Sequence, residues 1–227
     1  MAASPQVREA AQTFVEATLP YRYSYNFSWM GRPVIQFPQD LLAMQEIIWE
    51  VKPDLILETG IARGGSLVFY ASMLALLGEG GLAVGIDIDL RGHNREAIEK
   101  HPMFPQIRLV QGSSTAPEVM EQVRELARHR QRILVVLDSN HTHDHVLEEL
   151  RLYSPLVTPG SYLVVFDTVV EHLPEEASAD RPWGPGNNPA TAVKTFLEEN
   201  SRFTVDTSVD DKLLISVAGG GFLKCVG

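Results

Sequence analysis

Asp138-Ser139-Asn140-His141-Thr142-His143-Asp144-His145 puts two carboxylates and three imidazoles into eight residues, and Asp167 and Glu171 follow beyond one more apolar run. Asp138 and Asp167 form a pair of hard oxygen donors suited to Mg²⁺ or a similar ion. Glu171 either completes that shell or stands as a solvated loop acid. His141, three residues after Asp138, can act as a general base toward a substrate hydroxyl or join the metal, because imidazole titrates near neutral pH. A competing metal reading is a hydrolase cluster spaced H-x-H-x-D-H, but H-T-H-D-H is one residue short of it, and ligand spacing specifies a metal site. His143 and His145 fall in the next helical stretch and are expected to be structural, one solvated and one in the first turn.

A second group surrounds glycines. Glu58-Thr59-Gly60-Ile61-Ala62-Arg63-Gly64-Gly65-Ser66 joins an apolar run to a helical one. Small residues there let a ligand approach the backbone and the helix start, with Gly60, Ala62, Gly64 and Ser66 as the contact positions. The pattern is not GxGxxG; it resembles the turn of S-adenosylmethionine-dependent methyltransferases, while dinucleotide binding and a purely structural turn stay open. Asp87, ending GIDID, can accept hydrogen bonds from two ribose hydroxyls, or serve as a turn or helix-cap acid; Asp89 shares that ambiguity. Ser113 can offer a hydroxyl to an adenine edge, although Ser-Ser-Thr-Ala-Pro also reads as a helix start. Trp183, Asn187 and Asn188, in RPWGPGNNP, either touch substrate or form a turn that caps the helix beginning near Ala190.

The elements that must position these groups alternate. DLILETG, LAVGIDI, IRLVQGS, ILVVLDS and YLVVFDT are short apolar runs, each followed by a helical stretch. Such runs suit strands covered on both faces, and the alternation implies right-handed crossovers and a mainly parallel, doubly wound α/β sheet. FTVDTSV and KLLISVAGGGFLKCV lie close together and are expected to form a terminal antiparallel pair with no helix between them. Ligands in such sheets bind outside the carboxyl ends of the strands, which is where Glu58, Asp87, Ser113, Asp138 and Asp167 fall. Ahead of the sheet, Ser4-Pro5 opens a short amphipathic helix and a second helix begins near Pro38. Between them lies an aromatic segment with Tyr21, Tyr23, Tyr25 and Trp29, either lining an acceptor site or forming an oligomer interface. Residues 1–52 are therefore expected to be a helical lid or association segment, and 53–227 the catalytic domain.

Composition bounds the partners. The 19 Lys and Arg against 29 Asp and Glu give a net charge of −10 without a basic tract, which argues against dedicated nucleic-acid binding. One cysteine, Cys225, rules out an intrachain disulfide or thiolate cluster and fits a reducing cytoplasm. The start lacks the pattern of a secretory signal, and the apolar runs are too short to span a bilayer.

Taken together, Asn26-Phe27-Ser28-Trp29-Met30-Gly31, Gln36-Phe37-Pro38-Gln39-Asp40, Lys52-Pro53-Asp54, Glu58-Thr59-Gly60 with Gly64-Gly65-Ser66, Asp138-Ser139-Asn140-His141 and FDT followed by RPWGPGNNP resemble the cephalosporin hydroxylase and rhamnosyl O-methyltransferase family. The resemblance implies a class I, Rossmann-like methyltransferase fold, S-adenosylmethionine and Mg²⁺ as cofactors, and association into homo-oligomers through N-terminal segments. It implies cofactor positions at Glu58, Gly60, Asp87 and Ser113 and a metal position at Asp138. The family's adjacent Glu-Asp pair has no clear counterpart, so Asp167 and Glu171 are the remaining metal candidates. The expected reaction is methyl transfer to a hydroxyl of a small molecule, sugar or natural product. An NAD-dependent oxidoreductase and a non-catalytic binding protein are the alternatives.

Overall fold

The computed structural model describes all residues from 1 to 227. Five strands run parallel: β3 (Leu55–Thr59), β4 (Leu82–Asp87), β5 (Ile107–Gln111), β6 (Ile133–Leu137) and β7 (Tyr162–Val165). Two more, β8 (Phe203–Val205) and β9 (Phe222–Cys225), complete a sheet ordered β5-β4-β3-β6-β7-β9-β8. β9 is antiparallel to both its neighbours, with Phe203 opposite Cys225. The doubly wound sheet and its terminal antiparallel pair are as expected from the alternation of apolar and helical stretches.

The pleat explains why the strands are apolar throughout. Leu55 and Leu57 point to one face and Ile56 to the other, all fully buried, and β6 splits Val135 from Leu134 and Val136 in the same way. One face is covered by α5 (Pro117–Ala127), α6 (His143–Tyr153) and α7 (Pro189–Glu199). The other carries α2 (Pro38–Val51), α3 (Gly65–Leu77) and Ile98 of α4 (Gly92–Glu99). Truncating Leu57 to alanine would cost about 2–5 kcal/mol, the range for a close-packed buried leucine.

The first fifty-two residues form α1 (Pro5–Thr18), two 3₁₀ turns, a small hairpin of β1 (Phe27–Trp29) and β2 (Arg32–Val34), and α2. Val15, Phe37, Met44, Ile47 and Ile48 belong to the same core as α3, so this segment packs as part of the main body. The hairpin was not expected from the aromatic pattern. Its strands are only three residues long, too short for an alternation to register. Ser4 does precede α1, but its hydroxyl bonds the Gln6 side chain and leaves the helix N–H groups uncapped.

One correction concerns the C-terminal region. A short helix, α8 (Thr207–Leu213), separates β8 from β9 where none was expected, and it takes up the Lys212-Leu213 stretch read as part of a strand. Asp206 starts it by accepting the Ser208 N–H at 3.2 Å, a local cap that outweighs the strand propensity of the flanking residues. No helix is long and apolar enough to cross a membrane.

Candidate active site

The chain order reverses between β3 and β6, so a crevice opens at the carboxyl ends of β3, β4 and β6. The glycine turn leaves β3 there. Gly60 has φ +82° and donates its N–H to the Ile86 carbonyl at 2.8 Å; a Cβ on it would overlap the Asp138 backbone carbonyl. A Cβ on Gly65 would likewise overlap the Pro33 carbonyl of the hairpin. The turn is thus pressed between the end of β6 and β2, and only glycine fits at either contact. Ala62 also sits in the left-handed region, at φ 45°, which costs a β-carbon about 1 kcal/mol and marks a turn held by its surroundings.

Asp87 supplies that hold. Its Oδ2 accepts the N–H groups of Ile61 at 2.8 Å and Ala62 at 3.3 Å, and its Oδ1 accepts Asp89 N–H at 2.9 Å. The residue therefore acts as a turn acid while still facing the crevice. Asp89 itself turns outward to an exposed pair with Arg91.

Two adjoining cavities of about 230 and 250 Å³ share Gly60, Asp87 and Ser139. The first also takes Ala62, Ser66, Asp138, His141 and Asp167; the second takes Ser113 and Trp183. Gly64 and Glu58 line neither. Gly64 begins α3 with its missing side chain against Ile98, and Glu58 is fully buried beneath the turn. Neither Glu58 oxygen has a hydrogen-bond partner. Burial pushes its carboxyl up to about 8; the nearby Ser66 hydroxyl opposes the rise and the charge of Asp87 adds to it.

Asp138 and Asp167 come together because β6 and β7 are parallel neighbours whose pairing runs past the strands, with Phe166 N–H reaching the Leu137 carbonyl at 3.0 Å, while Asp138 N–H is tied to β3 on the other side through the Thr59 carbonyl at 2.9 Å. Asp167, at φ 56°, then turns the chain sharply. Ligand atoms of Asp138, His141 and Asp167 all lie within 4.8 Å of one another, and His141 Nε2 is 3.1 Å from Asp167 Oδ2. Burial first, and then the charges of Asp167 and Glu58, hold the Asp138 carboxyl well above the usual carboxylate range. Acids that repel each other this way are a setting a cation relieves.

Glu171 stands elsewhere. Its Oε2 accepts the Gly186 N–H at 2.8 Å and a hydrogen bond from the Asn188 side chain, and these two bonds lower its pKa. It is a fastener for the RPWGPGNNP loop, whose Asn188 also caps α7 in a capping box with Thr191, as the turn reading of that loop anticipated. Asn187 Oδ1 accepts the His143 N–H at 2.9 Å. The loop so fixed sets Trp183 edge-on against His141, with ring centroids 4.8 Å apart.

His143 and His145 do lie on α6. His143 contacts Thr191 Oγ1 at 2.8 Å. His145 Nε2 meets Ser114 and Ser139 hydroxyls at 3.2 Å each and the buried Glu149, whose hydrogen bond raises the imidazole pKa. Of the aromatic segment, Tyr25 reaches the first cavity. Trp29 does not line it, since its indole N–H donates to Ser72 and its ring packs on Phe69. Gln36, part of a family-like stretch but not read as a site residue, is 1% exposed, neither amide atom has a partner, and it lines the first cavity. A lone amide in the apolar stretch Val34-Ile35-Gln36-Phe37 was the available signal.

A family model described as rhamnosyl O-methyltransferase/CmcI matches residues 21–226. The chain belongs to that family. As a rhamnosyl O-methyltransferase/CmcI member it is an S-adenosylmethionine-dependent O-methyltransferase. It is 30% identical over 198 residues to a rhamnosyl O-methyltransferase of Mycobacterium leprae, covering 86% of this chain and 82% of the relative. Its counterpart in Mycobacterium tuberculosis is also 30% identical, over 86% of this chain and 77% of the relative. In fold, this member of the rhamnosyl O-methyltransferase/CmcI family resembles a CmcI structure described with Mg and S-adenosylmethionine. That match has a TM-score of 0.63 and 18% identity, and it covers 89% of this chain and 78% of the other. A CmcI structure with S-adenosylhomocysteine gives a TM-score of 0.63 at 19% identity over 88% and 83%.

Proposed function

We propose that the protein methylates a hydroxyl of a sugar or sugar-bearing small molecule, with a divalent cation, Mg²⁺ in the first instance, at Asp138 and Asp167 and with His141 as the proton acceptor. The observation that carries this reading is the convergence of Asp138, His141 and Asp167 at the mouth of the glycine turn. The donor set fits such an ion: two carboxylates on adjacent strands, crowded enough to repel each other, beside one imidazole. The turn fits the cofactor, because Gly60 and Gly65 put backbone without side chains into the wall of the first cavity.

Each residue then has a task. Asp87 and the Gly60–Ala62 backbone hold the nucleoside end, with Ser113 and the Trp183 wall around the neighbouring cavity. When bound, a divalent cation supplies positive charge against developing alkoxide and lowers the hydroxyl pKa. His141 accepts the hydroxyl proton, held in place by Asp167 on one ring nitrogen and by the Trp183 edge. Rigid alignment from the strand ends supplies most of the acceleration. A sugar acceptor is supported by the names of the relatives.

A homo-oligomer and a cytoplasmic setting belong to the same proposal. Leu42 and Trp49, 58% and 62% exposed on α2, support the first, and the single free, buried Cys225 supports the second.

Calorimetric titration of EDTA-treated protein with S-adenosylhomocysteine, NADH and Mg²⁺, alone and combined, tests the frame. Binding of S-adenosylhomocysteine and of Mg²⁺ is expected. NADH binding, or no nucleotide binding, would overturn it.

A further inference from the structure

Three buried polar atoms beside the metal cluster have no hydrogen-bond partner: Nε2 and Oε1 of Gln36 and the hydroxyl of Tyr70. Gln36 lies in the link from β2 to α2, and Tyr70, fully buried, lies on α3. Gln36 lines the first cavity together with Asp138. Burial, before any neighbouring charge, raises the pKa of both the Asp138 carboxyl and the Tyr70 hydroxyl, and the Gln36 amide opposes both rises. An uncharged amide acts in this way only on immediate neighbours. Gln36 therefore stands next to the hydroxyl and next to the carboxylate, and is bonded to neither.

The carboxylates around this cavity differ in how they are held. Asp87 accepts three backbone N–H groups, and Asp167 meets His141 at 3.1 Å. Of Asp138 it is the backbone N–H that is anchored, on the Thr59 carbonyl at 2.9 Å, and no donor holds its carboxylate. A carboxylate that presents one oxygen to a cation needs an outer partner to fix its orientation. Gln36 has the matching groups, an amide NH2 for the carboxylate and an amide oxygen for a hydroxyl. Tyr70, whose pKa is raised well above its ordinary value, keeps its proton and can donate it. One direction of bonding satisfies all three orphan atoms: Tyr70 O–H to Gln36 Oε1, and Gln36 Nε2–H to Asp138. Direct donation from Tyr70 to Asp138 would leave the buried amide unpaired, which native interiors avoid.

We infer that Gln36 is a positioning residue of the metal centre, held by the Tyr70 hydroxyl and donating to Asp138 so that this carboxylate turns its other oxygen to the cation. The inference rests on the placement of the divalent cation at Asp138 and Asp167 proposed above. The chain of bonds joins three separate segments at one ligand: the link after the hairpin, the helix after the glycine turn and the end of β6. Metal affinity then depends on two residues that do not themselves touch the ion.

The test is calorimetric titration with Mg²⁺ and, separately, with S-adenosylhomocysteine, alongside thermal melting. It compares the wild type, Gln36→Met, Tyr70→Phe, the double variant and Asp138→Asn. Methionine keeps the length of the glutamine side chain and deletes both amide groups, while Tyr70→Phe deletes a single oxygen. Gln36→Met is expected to weaken Mg²⁺ binding by about 10–100-fold, the usual cost of losing an outer partner, with S-adenosylhomocysteine affinity unchanged. Tyr70→Phe weakens Mg²⁺ binding by less, at an unchanged melting temperature, and the double variant binds no more weakly than Gln36→Met because Tyr70 acts through Gln36. A wild type that binds no Mg²⁺, or Asp138→Asn binding it as tightly as the wild type, removes the metal reading and the inference with it. Mg²⁺ binding that is lost in Asp138→Asn but unaltered in Gln36→Met leaves the metal reading standing and overturns the inference alone. Weakened S-adenosylhomocysteine binding with Mg²⁺ affinity intact makes Gln36 a cofactor contact and also overturns it. Additive losses in the double variant sever Tyr70 from the chain and overturn the inference in this form. If Gln36→Met does not fold, Tyr70→Phe decides, and an unchanged Mg²⁺ affinity there overturns the inference.

Discussion

His141 Nε2 lies 3.1 Å from Asp167 Oδ2, joining a side chain from the loop after β6 to one from the turn after β7. The contact fixes one ring nitrogen against a carboxylate and leaves the other for a proton, the arrangement by which a carboxylate orients an imidazole.

His141→Ala is expected to lower kcat by about 10²–10⁴-fold, the usual contribution of a positioned base, with S-adenosylhomocysteine affinity unchanged. Calorimetric Mg²⁺ titration of the same variant separates the roles. An unchanged metal affinity supports the base, and a large loss makes His141 a ligand instead.

Asp138→Asn and Asp167→Asn should each weaken Mg²⁺ binding by about tenfold or more and lower kcat, because each removes one hard anionic donor. Glu171→Gln should leave Mg²⁺ affinity unchanged, since Glu171 is engaged with Gly186 and Asn188. Its expected effect is faster protease cleavage of the RPWGPGNNP loop. Retained loop protection together with lost metal binding would return Glu171 to the metal shell.

Gly60→Ala would bring a Cβ into the Asp138 carbonyl at a residue whose φ is +82°. Overlap and backbone strain together should cost about 2 kcal/mol or more and weaken S-adenosylhomocysteine binding at least about tenfold. Melting temperature and calorimetry read the two effects separately. Gly78→Ala, also at positive φ but in open space, is the control, with a smaller loss of stability and no loss of binding.

Asp40, fully buried, accepts the Ser216 hydroxyl at 2.6 Å and the Val217 N–H at 3.1 Å, and burial pushes its pKa up from 3.8 to about 7. The folded state therefore binds more protons than the unfolded chain between those values. Stability contributed by this group is fully present below the unfolded pKa and is lost as pH rises through about 7. Asp210, raised to about 6 by burial, adds to the same trend. Denaturant unfolding at about pH 5 and about pH 8 should show Asp40→Asn gaining on the wild type as pH rises. A constant difference between the two proteins would show that Asp40 titrates normally.

The sheet was legible because burial on both faces forces continuous apolar runs, as in Leu55-Ile56-Leu57 and Ile133-Leu134-Val135-Val136-Leu137. The acids of the candidate site were legible for a related reason: a carboxylate directly after such a run stands at the ligand edge of the sheet. Three features were hidden. α8 is seven residues long and rests on one local cap, below what periodicity can register. Glu171 is four residues from Asp167 and of suitable chemistry, yet which way it turns depends on a loop that returns through Gly186 and Asn188. Gln36 carries no spacing relationship to the other site residues, so its place in the Gln36-Phe37-Pro38-Gln39-Asp40 stretch marked the family without marking the site.

The seating of Gly65 against the Pro33 carbonyl makes floor and roof of the site one mechanical unit. The floor is laid by strand ends whose positions the whole sheet enforces, whereas the roof comes from the hairpin and its flanks, through Tyr25, Pro33, Ile35 and Gln36. Tyr25 and Ile35 line the first cavity from that roof, and neither belongs to the glycine turn. Changes in those side chains can therefore reshape the cavity while the glycine-to-carbonyl joint keeps roof and floor in register.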